Sequence, residues 1–174
     1  DAQPAQLTLS FMAKPGKGFV GPLLALHDGA TTPLLAVTIG TGGYIKASVR
    51  SGAQGARFST QIKPAKKLGS VWVPCSLVLT HLDLTMHCAR QTMVVRFETY
   101  DESDQLITQV LAFGPQATLI MGAAAGAAGA PSTSSPLEGS NGYKGALDEV
   151  RLWSRALQFG QLAIYRTTEL VGDE

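Results

Sequence analysis

Residues 142–162, GYKGALDEVRLWSRALQFGQL, set an acidic pair, an aliphatic run, a Trp and an Arg-Ala-Leu in one short span. Within KGALDEVRLW the apolar Ala146, Val150 and Leu152 alternate loosely with Asp148 and Arg151. That pattern predicts a strand packed on one face and partly covered on the other. Ser154 then opens a turn. Leu157, Leu162 and Ile164 follow near helical spacing, but Gly160 interrupts them and limits the segment to one or two helical turns.

The rest of the chain reads as strands feeding toward this one. LTLSFMA sets Leu7, Leu9 and Phe11 against Thr8 and Ser10, the period-two mark of a strand with one wet face. Residues 22–28, PLLALHD, and 33–40, PLLAVTIG, form an expected hairpin across DGATT, and GYIKASVR, ARFSTQI and SVWVPCSLVLT continue the series. Six strands are thus expected before residue 81. TMVVRFETY and QLITQVLAF are expected to face each other across the acidic turn DESD, with ATLIMG closing a further strand. Residues 122–142 are rich in Ala, Gly, Ser and Pro and lack the side chains to repay ordering, so they read as a long surface loop. Too little chain follows for a second core, which predicts one domain over 1–174.

Composition removes several classes of function. Lys and Arg number 14 against 13 Asp and Glu, and the one basic cluster is Lys63, Lys66 and Lys67, which reads as a solvated loop and not as a phosphate-binding stripe. Nucleic acid is therefore not an expected partner. No apolar run reaches the ~20 residues that cross a bilayer, so no direct membrane insertion is expected. The opening DAQPAQ reads as the boundary of a mature chain or an excised domain, part of a larger multidomain protein.

The string from Gly145 to Leu157, GALDEVRLWSRAL, resembles the terminal strand and turn of the laminin-G-like, or concanavalin-A-like, jelly-roll family, with its "G-x-I-D-E-V-R-I-W-x-R-A-L" pattern. LTLSFMAKPG resembles that family's opening strand, Trp72 to Thr80 its "W-H-x-V-A-x-x-Y" strand, and Leu119 to Gly122 its "L-x-I-G". Val73 and Pro74 depart from the second of these. The resemblance implies an all-β, two-sheet antiparallel jelly-roll sandwich, with Leu147, Val150, Leu152 and Trp153 filling its interior and Arg155-Ala-Leu turning the chain round the sheet edge. The family's "L-x-L-Y-V-N-G" strand can be laid on LDLTMHCARQ or on MVVRFETYDESDQ. The second gives better continuity and makes 81–91 an inserted loop.

Catalysis finds little support. A jelly-roll glycosidase needs two carboxylates flanking the scissile bond, and no E-x-D-x-E arrangement exists, while Glu98, Asp101, Glu102 and Asp104 fall on a turn that projects them apart. His27, His81 and His87 share no ligand spacing, and Ser10, Ser76 and Ser154 lack a nucleophile's context. No cofactor is expected beyond a structural Ca²⁺. The acidic turn with Asp101 and Asp104 offers carboxylate oxygens for one, and the resemblance implies Asp148 as an alternative ligand. If Val71 to Thr80 pairs with Asp83 to Gln91, Cys75 lies opposite Cys88 on a face shared with Leu77, Leu79, Leu84 and Met86; a disulfide and two buried free thiols both remain open.

The function expected from these readings is a non-catalytic recognition or assembly module, extracellular or at the cell surface (periplasmic in a bacterium), binding a protein or a glycan. Tyr44, Tyr100, Asn141 and Tyr143 are its candidate ligand-binding residues, since sugars stack on aromatic rings and bond to amides. The alternatives are a glycan-active hydrolase of the concanavalin-A-like group and a structural spacer without a ligand of its own.

Overall fold

Alternation of apolar and polar side chains in the first run produces β1 (Leu7–Pro15), and the same chemistry repeats through β2 (Gly21–His27), β3 (Leu35–Ile39), β4 (Ile45–Arg50), β5 (Arg57–Ile62) and β6 (Val73–Leu79). After these come β7 (Asp83–Cys88), β8 (Gln91–Arg96), β9 (Glu98–Tyr100), β10 (Leu106–Thr108), β11 (Thr118–Met121), β12 (Gly145–Trp153) and α1 (Phe159–Thr167). The computed structural model describes residues 6–27, 33–50, 57–63, 71–100, 106–108, 118–121 and 144–167.

The described residues form two five-stranded antiparallel sheets, one ordered β12-β1-β6-β7-β8 and the other β11-β2-β3-β4-β5, and a two-stranded sheet of β9 with β10. The inner faces of the two large sheets share one core. Leu9, Phe11 and Ala13 of β1 and Leu77 and Leu79 of β6 come from the first sheet, and Leu24, Leu26, Val37, Ile39, Ile45 and Val49 from the second. Phe97, just after β8, is fully buried and packs on Phe58 of β5 with ring centroids 5.0 Å apart, closing that side between the sheets. The expected hairpin of β2 with β3 is present, in the register Leu24 to Val37 and Leu26 to Leu35.

Three expectations are corrected. Residues 83–88 are not part of an inserted loop but a core strand, with Leu84 and Met86 fully buried. TMVVRFETY is not one strand: β8 pairs with β7, the chain dips inward at Phe97, and only Glu98–Tyr100 pairs with Leu106–Thr108. Leu147 and Val150 do pack on the core, but Leu152 is 49% exposed and Trp153 points to the outer face. The physical reason is that β12 is an edge strand with a neighbour on one side alone, and its outer face is covered by α1. The segment 122–142 lies outside the described residues.

Register sets Cys75 directly opposite Cys88, Cα to Cα 4.3 Å, and their sulfurs are joined. The two-residue turn after Cys88 carries positive φ at both positions, 50° at Ala89 and 67° at Arg90, the geometry of a tight hairpin that normally selects Asn-Gly. Arg90 is exposed and gains nothing that offsets its left-handed backbone. Arg90→Gly is therefore expected to stabilise the protein by about 0.5–1 kcal/mol, whereas the β-branched Arg90→Val should destabilise it. Thermal unfolding checks both, with melting-temperature shifts of roughly 2–3 °C in opposite directions.

Candidate functional site

A β-bulge in the D-E-V-R strand creates the most distinctive local geometry. Ser10 pairs with Arg151 and Met12 with Asp148, so Glu149 and Val150 together oppose Phe11. Bulges bend a strand and re-aim its side chains. Here the bulge holds Glu149 at φ 51°, a conformation costly for a residue with a Cβ. The Asp148 Oδ1 accepts a hydrogen bond from the Glu149 N–H at 2.8 Å, fixing the turn of the backbone.

Arg151 secures the neighbouring helix. Its guanidinium pairs with the Glu149 carboxylate and donates to the Tyr165 carbonyl, and the Arg side chain is largely buried. The Arg155-Ala-Leu turn is fastened at the other end by Thr8, whose buried hydroxyl donates to the Arg155 carbonyl at 2.7 Å and accepts from the Leu157 N–H at 2.9 Å. Gln161 Oε1 accepts from the Gln158 N–H at 2.9 Å, half of a capping box, and α1 begins there. Gly160 sits inside this helix and does not end it, so the helix is longer than the sequence spacing predicts. Leu157 and Leu162 then bury against Val78 on the outer face of the first sheet, and Trp153 packs on Tyr165 with centroids 5.6 Å apart.

Between this helix and the bulge lies a pocket of about 170 Å³, lined among others by Ser10, Met12, Pro74, Glu149, Arg151 and Tyr165. It combines a hydroxyl, a carboxylate–guanidinium pair, a Tyr and an apolar floor. Such a set can donate to and accept from a ligand with several hydroxyl groups.

Of the ligand residues singled out from sequence, Tyr44 does not line this pocket. Tyr44 ends the β3–β4 hairpin on the other sheet, half-buried, with the Lys63 ammonium 5.2 Å from its ring centroid. One ring face is thereby engaged. Tyr100 lies in β9, and Asn141, Tyr143, Asp101 and Asp104 lie outside the described residues. Asp148 is exposed, but the nearest acidic side chain along the strand, Glu149, is already paired with Arg151. Among the described residues no group of three or more His, Cys, Asp or Glu stands together as a metal would require. Sequence reasoning missed Ser10, Glu149, Arg151 and Tyr165. Their one shared signal, membership of the D-E-V-R strand or of its partner and following helix, carries no information about a bulge.

No family model matches the chain, and no curated protein matches it by sequence. Solved structures do resemble it. A native heptameric SAP-like pentraxin from Limulus polyphemus superposes with a TM-score of 0.61 at 14% identity, over 94% of this chain and 71% of that one. Domains LG4-5 of the mouse laminin alpha1 chain give 0.61 at 13% identity, over 91% of this chain and 40% of that one. The CBM40 of a Ruminococcus gnavus IT-sialidase, solved with α2,3 sialyllactose, gives 0.60 at 13% identity, over 93% and 83%. At such identities the likeness is one of fold, and with two packed antiparallel sheets in this order the chain is a concanavalin-A-like jelly-roll sandwich.

Proposed function

We propose that the chain is a recognition module of a larger protein that works outside the cytoplasm, binding a glycan or protein partner without turning it over. The observation that carries this reading is the pocket between the bulge and α1, where Ser10, Glu149, Arg151 and Tyr165 converge above Met12 and Pro74. Its volume is below the roughly 300–1,000 Å³ of sites that engulf a whole drug-sized ligand. It therefore suits one ring of a longer chain, which favours a glycan. A carbohydrate-binding module of the same fold has been solved with a sialylated sugar, so a sugar ligand is compatible with this scaffold. The joined Cys75 and Cys88 support an oxidising compartment, where such bonds persist.

A glycan array followed by calorimetry tests the reading. Ser10→Leu, which fills the pocket, and Glu149→Gln, which keeps its size but removes the charge, are each expected to weaken the captured glycan about tenfold or more, equal to about 1.4 kcal/mol. Binding left unchanged in both variants would remove the pocket from the mechanism. Release of reducing sugar during the same incubation would replace the binding module with an enzyme.

A further inference from the structure

We infer that β8 is a self-association edge through which two copies of this chain join into one continuous sheet. Among the described residues the two large sheets end on four edge strands, β12 and β8 in one, β11 and β5 in the other. An edge presents unpaired N–H and C=O groups, and proteins blunt it with bulges, charges or shortness. β12 has the bulge and carries Asp148, Glu149 and Arg151. β5 shows Arg57, Ser59 and Gln61 to solvent, and β11 has only four residues. β8, Gln91-Thr92-Met93-Val94-Val95-Arg96, has no such device before its last residue, and it leaves Met93 45% and Val94 55% exposed.

The hairpin fixes which backbone groups are open. Residues flanking a two-residue turn form a hydrogen-bonded pair, so Gln91, Met93 and Val95 direct their N–H and C=O toward β7. The Phe97 N–H continues that series to the Leu82 carbonyl at 2.8 Å. Thr92, Val94 and Arg96 consequently direct theirs to the open side. Side chains alternate too. Val94 shares the outer face with Thr85, while Met93 shares the inner face with the buried Met86. On the outer face Phe159 is 62% exposed and packs at a tilt against His87, one strand in from the edge.

A single two-fold register uses all of these groups. Antiparallel pairing with Val94 opposite Val94 of the second copy sets Thr92 opposite Arg96 and Met93 opposite Val95. The three outward-bonding pairs exchange both of their backbone hydrogen bonds. Parity keeps outer face beside outer face, the apolar Met93, Val94 and Val95 of both copies leave water, and no like charges meet. A foreign strand could engage the same backbone groups, but β8 complements itself on both faces and is always present at the concentration of the protein. The occupant is therefore a second copy.

Sedimentation equilibrium from micromolar to near-millimolar protein reads the outcome, since a small edge-to-edge interface gives a weak dimer. The wild-type weight-average mass is expected to rise toward twice that of the monomer. Val94→Lys puts two ammonium groups opposite each other on the two-fold axis, and Val94→Glu two carboxylates; each is expected to stay monomeric, while their equimolar mixture associates. Val94→Pro deletes the outward N–H without touching a bond to β7, and is also expected to remain monomeric. Melting curves establish that each variant is folded. A wild-type mass that stays monomeric throughout overturns the inference. So does a Val94→Lys protein that dimerises like wild type, or a charge-swapped mixture that does not associate.

Discussion

Phe97→Ala is expected to cost about 3–5 kcal/mol and to lower the melting temperature by on the order of 10 °C, the largest effect of any single substitution considered for this chain. Phe97 belongs to no strand, yet it is wholly buried, and its ring closes the side of the sandwich against Phe58. Its removal leaves a cavity between two sheets that are each held by their own ladders. Neither sheet can collapse into that space without breaking backbone hydrogen bonds. Phe159→Ala supplies the comparison. That ring has the same hydrophobicity but lies mostly in water, and its truncation is expected to cost less than about 1 kcal/mol. Calorimetric unfolding of the two variants side by side checks the contrast, and equal losses would mean that Phe97 is not the closing residue.

Replacing Cys75 and Cys88 together by Ala is expected to destabilise the protein by about 3 kcal/mol. The bond closes a loop with a sequence separation of 13, and the chain-entropy model assigns about that value to a loop of this size. Burial adds a kinetic expectation, because both residues are almost fully enclosed between the sheets. A thiolate must reach a sulfur in order to exchange with it. Millimolar dithiothreitol should therefore leave the native bond intact, and two alkylated thiols should appear by intact mass only when denaturant is added with the reductant. Two labelled thiols in a native, oxidised, unreduced preparation would rule the bond out.

The strands that alternate cleanly were the most legible. LTLSFMA assigns Leu9 and Phe11 to one face and Thr8 and Ser10 to the other from the sequence alone, because period two maps each side chain to one of two faces. The face read as wet is buried, however, with Thr8 0% and Ser10 6% exposed beneath the segment that follows β12. The pairing of β6 with β7 was only half legible, since the sequence offered it as a hairpin while the preferred family alignment made 81–91 an inserted loop. Only Thr80, His81 and Leu82 separate them, so the chain has little choice but to fold back on itself, and the register then follows. TMVVRFETY was less legible. Every residue in it suits a strand, and nothing local says that Phe97 turns inward while the residues after it pair with a different partner.

Sequence by itself determined the class of fold, most of the strands that build the core and a near balance of charge. These depend on short-range alternation and on composition, which are properties of neighbours along the chain. Tertiary structure alone decided the rest. Trp153 and Tyr165 meet because α1 docks on an outer face whose alternation marks it only as less apolar, through a Thr8 hydroxyl that bonds to residues far along the chain. Glu149 adopts a left-handed backbone because β1 holds Ser10 and Met12 in register on either side of it. β8 stands at a sheet edge among the described residues because sheet order places it last. Each of these outcomes depends on which strand becomes whose neighbour, and a local pattern of two faces does not contain that information.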